Sequence, residues 1–181
     1  MTALPLAPAP VLSRLHSARR DRTLSAMGPM PWLMATGRLE RVLTAWANGH
    51  LAEVPVGVGF DVLNVPAGLG REAVRRLHRE GHRVGPVLFG PLGAEFIIER
   101  GSAAGWSAPL SLVLRAGALV LLPPPGDETR TVGGRRWLIP PCHPGTGAPL
   151  HPELTHGGTL LKPYQAAVRA AQERGEWPCA R

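Results

Sequence analysis

Lysine is almost missing: Lys162 is the only one in 181 residues, so the formal charge of +7 rests on arginine. A basic balance suits phosphate contacts. Arginine alongside abundant alanine, glycine and proline is also what a GC-rich genome yields, and a solvated basic surface is the competing reading. Cysteine is scarce: Cys142 and Cys179 make no disulfide framework. No apolar run approaches the roughly 20 residues of a membrane helix, which predicts no membrane partner. The opening MTALPLAPAP has no basic leader and several prolines, so no signal peptide is expected and the predicted location is cytoplasmic. The glycines also lack a nucleotide signature. Gly57, Gly59, Gly68 and Gly70 are followed by no Gly-Lys-Ser/Thr, which excludes a phosphate loop.

What is present is a globular composition, 44% hydrophobic, with 22 glycines and 20 prolines. That predicts one domain of short elements and many loops. Residues 1–35 read as an irregular basic arm with Arg14, Arg19, Arg20 and Arg22, residues 36–176 as the domain, and 177–181 as a tail. Thr36 is placed to cap a helix whose Leu39, Val42, Leu43 and Trp46 share one face, ended by Asn48-Gly49. Val54–Leu63 alternates in a single parity and reads as the first strand, with Asp61 opposite to the apolar set. Gly68–Glu80 reads as a helix, with Leu69, Val74 and Leu77 inward and Arg71, Arg75, Arg76 and Arg79 mostly outward. Strands follow at Val84–Phe89 and Ala94–Glu99, then a block from Leu110 to Pro141 with three short apolar runs bounded by glycine and proline. Thr159–Arg174 reads as the last helix, with Pro163 in its first turn. The expected class is α+β, helices packed on a mainly antiparallel sheet.

Chemistry-bearing residues are few. His78 and His82 are four apart, but Gly81 breaks the helix between them, so they read as surface histidines. Cys142, His143, His151, His156 and Cys179 show no zinc spacing. Ser102 and Ser107 have no nucleophile-elbow context. The acids near the predicted sheet are Asp61, Glu95 and Glu99, and Glu95 and Glu99 share a parity. Phosphoryl transfer with two metal ions needs two or three converging carboxylates. Whether Asp61 sees the face of the glutamates is open at this point.

The stretch FDVLNVPAGLGREAVRRLHREGHRVGPVLF, then AEFIIERG, RAGALVLLPPP and RRWLIPP, resembles actinobacterial proteins related to the N-terminal domain of bifunctional DNA primase/polymerases, of the archaeo-eukaryotic primase superfamily. The similarity spans roughly residues 50–160, the extent of an ordinary domain. Its most specific piece is Gly117–Pro124 followed by Trp137, similar to the family's glycine-rich strand that ends in a double proline. The resemblance implies a split sheet with an RRM-like half, a nucleotide over it, and divalent metal, magnesium if active, at paired acids. Active members carry an Asp-hydrophobic-Asp motif. Here Asp61 matches the first carboxylate and Leu63 stands at the second. The middle strand, Phe96-Ile97-Ile98, lacks the family's histidine, and the third acidic position falls near Leu112 or Val113. One carboxylate does not hold two metals against a triphosphate.

The expectation is therefore a primase/polymerase-like domain that has lost catalysis and needs no cofactor. It would retain binding to nucleic acid or to a replication or regulatory protein. Asp61 would be a vestigial catalytic residue, and Asp61 with Glu99 the remnant of a metal site. Arg115, Arg135 and Arg136 are the expected phosphate contacts, and Trp106 or Trp137 a base platform, with the core the competing place for Trp137. Two rivals stay open: an active nucleotidyltransferase using Asp61, Glu95 and Glu99, and a protein-interaction module with no nucleic-acid role.

Overall fold

The computed structural model describes residues 30–126, 129–143, 148, 150 and 153–176. Among these lie four helices and seven strands. The helices are α1 (Pro31–Met34), α2 (Leu39–Ala47), α3 (Ala67–Arg79) and α4 (Gly157–Glu173). The strands are β1 (Ala52–Pro55), β2 (Asp61–Val65), β3 (Val87–Gly90), β4 (Gly93–Ile98), β5 (Leu112–Leu114), β6 (Leu119–Leu122) and β7 (Arg136–Ile139). The class is α+β with antiparallel sheets, as composition and pattern suggest.

A five-stranded sheet runs in the order β5-β2-β4-β3-β7, every neighbour antiparallel. β2 and β3 therefore run the same way with β4 between them, and α3 makes the crossover. This is a split β-α-β unit, with β5 returning to the outer side of β2. No second helix joins β4 to β5: residues 99–111 carry turns instead. α4, from much later in the chain, packs beside α3 on the same face.

The sheet has a core on each side. Leu63, Val65, Phe96 and Ile98 meet Leu69, Leu77, Leu160 and Tyr164 from α3 and α4. Val62, Leu88, Ile97 and Trp137 meet Trp32, Leu33, Trp46, Val54 and Leu122 from α1, α2 and the ribbon β1–β6. β4, buried along its whole length, sits between both cores.

Val54–Leu63 is two strands, not one. β1 pairs with β6 in a separate ribbon, and β2 lies in the large sheet. The chain turns at Gly57, whose N–H donates to the Phe60 carbonyl at 2.7 Å. Gly57 has φ +85°, and a Cβ there would overlap the backbone of Ala116. The alternation survives the turn because both halves line the second core: Val54, Val56, Phe60 and Val62 are buried, and only Val58 comes out. The Leu110–Pro141 block is likewise divided. β5 and β7 are opposite edges of the large sheet, while β6 belongs to the ribbon.

Two indoles fasten the end of β6. Trp46 Nε1 donates to the Leu122 carbonyl and Trp137 Nε1 to the Pro123 carbonyl, both at 3.0 Å. Thr36 does not cap α2. It closes the α1–α2 turn, donating to the Leu33 carbonyl at 2.6 Å and accepting from the Arg38 N–H. The folded part begins earlier than residue 36, since Met30, Trp32 and Leu33 are buried. Pro163 lies inside α4 rather than in its first turn. No helix among the described residues is long and apolar enough to cross a membrane.

Cys142 is 2% exposed, and burial pushes its thiol up from 9.0 to about 11. A thiol that ionises later in the folded state binds more protons there than in the unfolded chain. Stability should therefore fall as pH rises from 9 to 11, by at most about 1.4 kcal/mol per pH unit from this one group. Urea melts across that window should show a shallower decline in Cys142→Ala than in the wild type.

Candidate functional site

The register decides where the acids point. Asp61 lies opposite Ile98, in the row of Leu63–Phe96 and Val65–Ala94. That row faces α3 and α4. Glu95 lies opposite Asn64 on one side and Leu88 on the other, in the row of Val62–Ile97. That row faces the ribbon. Asp61 and Glu95 are thus on opposite faces of one sheet.

Each carboxylate already has a protein partner. Asp61, 3% exposed, accepts a 2.8 Å hydrogen bond at Oδ2 from the Gly101 N–H. It holds the turn that leaves β4, where Gly101 takes φ +75°. Glu95, 4% exposed, pairs through Oε2 with Arg135 Nη1 at 2.8 Å. Gly90 leaves room for that pair, since a Cβ there would come within 2.7 Å of Glu95 Oε1. Glu99 is one residue past β4 and exposed. It lines an open cleft of about 200 Å³ with His82, Arg83, Glu153, His156 and Thr159. Among the described residues, no three His, Cys, Asp or Glu side chains converge to hold a metal. The wider Asp61, Glu95, Glu99 set is not brought together, since Asp61 and Glu95 stand on opposite faces of the sheet.

The three arginines proposed for phosphate have different fates. Arg135 is taken by Glu95, with its side chain 13% exposed. Arg115 donates from Nη2 to the Ala103 carbonyl at 3.1 Å. Arg136 stands 4.9 Å from the centroid of the Phe89 ring. Arg71, from α3, stands 5.1 Å from the same centroid. Cation–π contacts of this length help hold a guanidinium in place.

The two expected base platforms differ in burial. Trp137 is 1% exposed in the second core. Trp106 is half-buried, its ring 5.6 Å from Tyr164 and its Nε1 donating to Ser111 Oγ. Two of the histidines have partners within the protein. His82 Nε2 lies 3.7 Å from Glu80 Oε2, and His156 Nδ1 accepts from the Gly158 N–H as the cap of α4. Cys142 is buried and His143 exposed. His151 and Cys179 lie outside the described residues.

The basic surface that sequence reasoning undervalued is α3. From Arg71 to Arg83 there are five arginines against Glu72 and Glu80. Glu72 alone pairs with three of them: Arg75 at 2.9 Å, Arg76 at 2.9 Å and Arg79 at 3.2 Å. One carboxylate shared by three guanidinium groups leaves that turn strongly positive. The run REAVRRLHRE was the available signal, and its outward periodicity is visible without coordinates.

Comparison with known proteins finds no matching family model, curated protein or solved structure.

Proposed function

We propose that the chain is a primase/polymerase-like domain that does not polymerise and instead binds nucleic acid, alone or with a replication or regulatory protein. The observation that carries this reading is the separation of the acids. Two-metal nucleotidyl transfer needs carboxylate oxygens converging on ions about 4 Å apart. Asp61 and Glu95 face opposite sides of the sheet, and each is bonded to a protein donor. The split β-α-β strand order is what an RRM-like half would present. The excess of arginine on α3 supplies the charge that phosphate binding needs.

The test is primer extension with magnesium or manganese, run beside a binding titration. No incorporation is expected. Asp61→Ala should cost about 1–3 kcal/mol of stability, because it strands the Gly101 N–H, and should leave nucleic-acid affinity unchanged. Incorporation that disappears in Asp61→Ala would overturn the non-catalytic reading. A binding curve indifferent to salt between 50 and 200 mM, roughly the range over which phosphate contacts weaken, would overturn a phosphate-driven contact.

A further inference from the structure

We infer that the outer face of α3 is a docking surface for the phosphate backbone of double-stranded nucleic acid; this rests on the nucleic-acid reading above and adds the surface and the form of the partner. α3 buries Leu69, Ala73, Val74 and Leu77 and presents Arg71, Arg75 and Arg79 to solvent. Residues four apart on a helix are separated by about 6 Å along its axis. The exposed arginines therefore form a row rather than a point. Glu72 braces Arg75 and Arg79 from below while their side chains stay 63% and 66% exposed. The Phe89 ring braces Arg71 at the other end of the row. Bracing lowers the side-chain entropy lost on binding without removing the charge.

The form of the partner follows from the aromatics. Proteins that hold single strands stack successive bases on exposed rings. Among the described residues Trp32, Trp46, Phe60, Phe96, Trp137 and Tyr164 are buried, and half-buried Trp106 lies against Tyr164 with its Nε1 bonded to Ser111. Phe89, at 7% exposure, is covered and serves the guanidinium groups rather than a base. The sheet face opposite α3 and α4, which could display bases, is sealed by α1, α2 and the β1–β6 ribbon. Among the described residues, what remains is a positive row with no fully exposed ring beside it, which fits a duplex backbone contacted without regard to sequence.

The experiment uses the full chain and a fluorescent random-sequence DNA of about 20 base pairs, with the same length of single strand as competitor, at salt between about 50 and 200 mM. Duplex should bind more tightly than single strand. Each arginine lost in Arg71→Ala and Arg75→Ala should lower the slope of log affinity against log salt by about 0.9. Arg71→Lys should restore the slope, and Arg169→Ala, on exposed α4 surface, should not change it. Glu72→Gln should tighten binding, a gain that damage to the fold would not produce. Preference for the single strand, or slopes untouched by the α3 variants, overturns the surface and the duplex assignment while leaving a nucleic-acid role. No binding of either form by the wild type overturns both.

Discussion

Glu95→Ala is expected to cost about 3–5 kcal/mol of folding stability, the range for removing one member of a buried ion pair. Glu95 sits mid-sheet on β4, between Asn64 on β2 and Leu88 on β3. Its partner Arg135 ends a tight turn. Val132 and Arg135 exchange two backbone hydrogen bonds of 2.9 Å, with Gly133 at φ +54° and Gly134 at φ +73° between them. Two positive φ values in succession are the geometry of a tight hairpin turn, which glycine pairs adopt without strain. Without Glu95 the guanidinium remains largely buried and unneutralised, and the turn loses its tie to the sheet. Urea unfolding of both single variants and the pair should give a coupling of more than 1 kcal/mol, the mark of residues in direct contact. Glu95→Leu with Arg135→Met should recover much of the loss, because replacing a whole buried pair with apolar groups removes both desolvation penalties. A loss below about 1 kcal/mol for Glu95→Ala would mean the pair behaves as a solvated one.

Trp137→Ala should cost a similar amount, about 3–5 kcal/mol, for emptying a large buried site. The indole is 1% exposed and pairs with Leu88 across β3–β7. Its N–H also reaches the Pro123 carbonyl at the end of β6. That bond links the large sheet to the ribbon, so the substitution removes packing and a connection between the two sheets. Trp137→Phe keeps most of the ring and loses the hydrogen bond, which should cost about 1–3 kcal/mol. Thermal melts of the two variants separate these contributions. If Trp137→Ala melts within a few degrees of the wild type, the ribbon is not anchored through this residue.

The same bond gives a physical reason for a sequence pattern. A strand ending in Leu122-Pro123-Pro124 presents carbonyls in a row with no amide donor on either proline. Trp46 and Trp137 supply donors to the first two of those carbonyls. The double proline and the later tryptophan were legible as a motif. Their direct contact across 14 positions was not.

Other parts of the reading divide along the same line. The inward faces of α2 and α3 were readable, because a helix buried on one side shows its period within a dozen residues. The parity of Val54, Val56, Val58, Phe60 and Val62 was equally readable, and all but Val58 are buried. That they belong to two sheets was not, because the break depends on how closely Ala116 and Trp32 approach Gly57 and Gly59. Arg135 and Arg136 look equivalent as neighbours in a basic pair. One turns to Glu95 and the other to Phe89.

The sequence by itself determined that this protein is an α+β domain, that its charge is arginine, and that α3 turns its arginines outward. These are properties of short windows, set by local periodicity and by which side chains avoid water. Only the tertiary structure decided that Asp61 and Glu95 look away from each other, since that depends on the pairing of β2 with β4, with α3 and β3 between them in the chain. A single step of register carries every side chain of a strand to the opposite face, and no local pattern records which partner strand fixes that step.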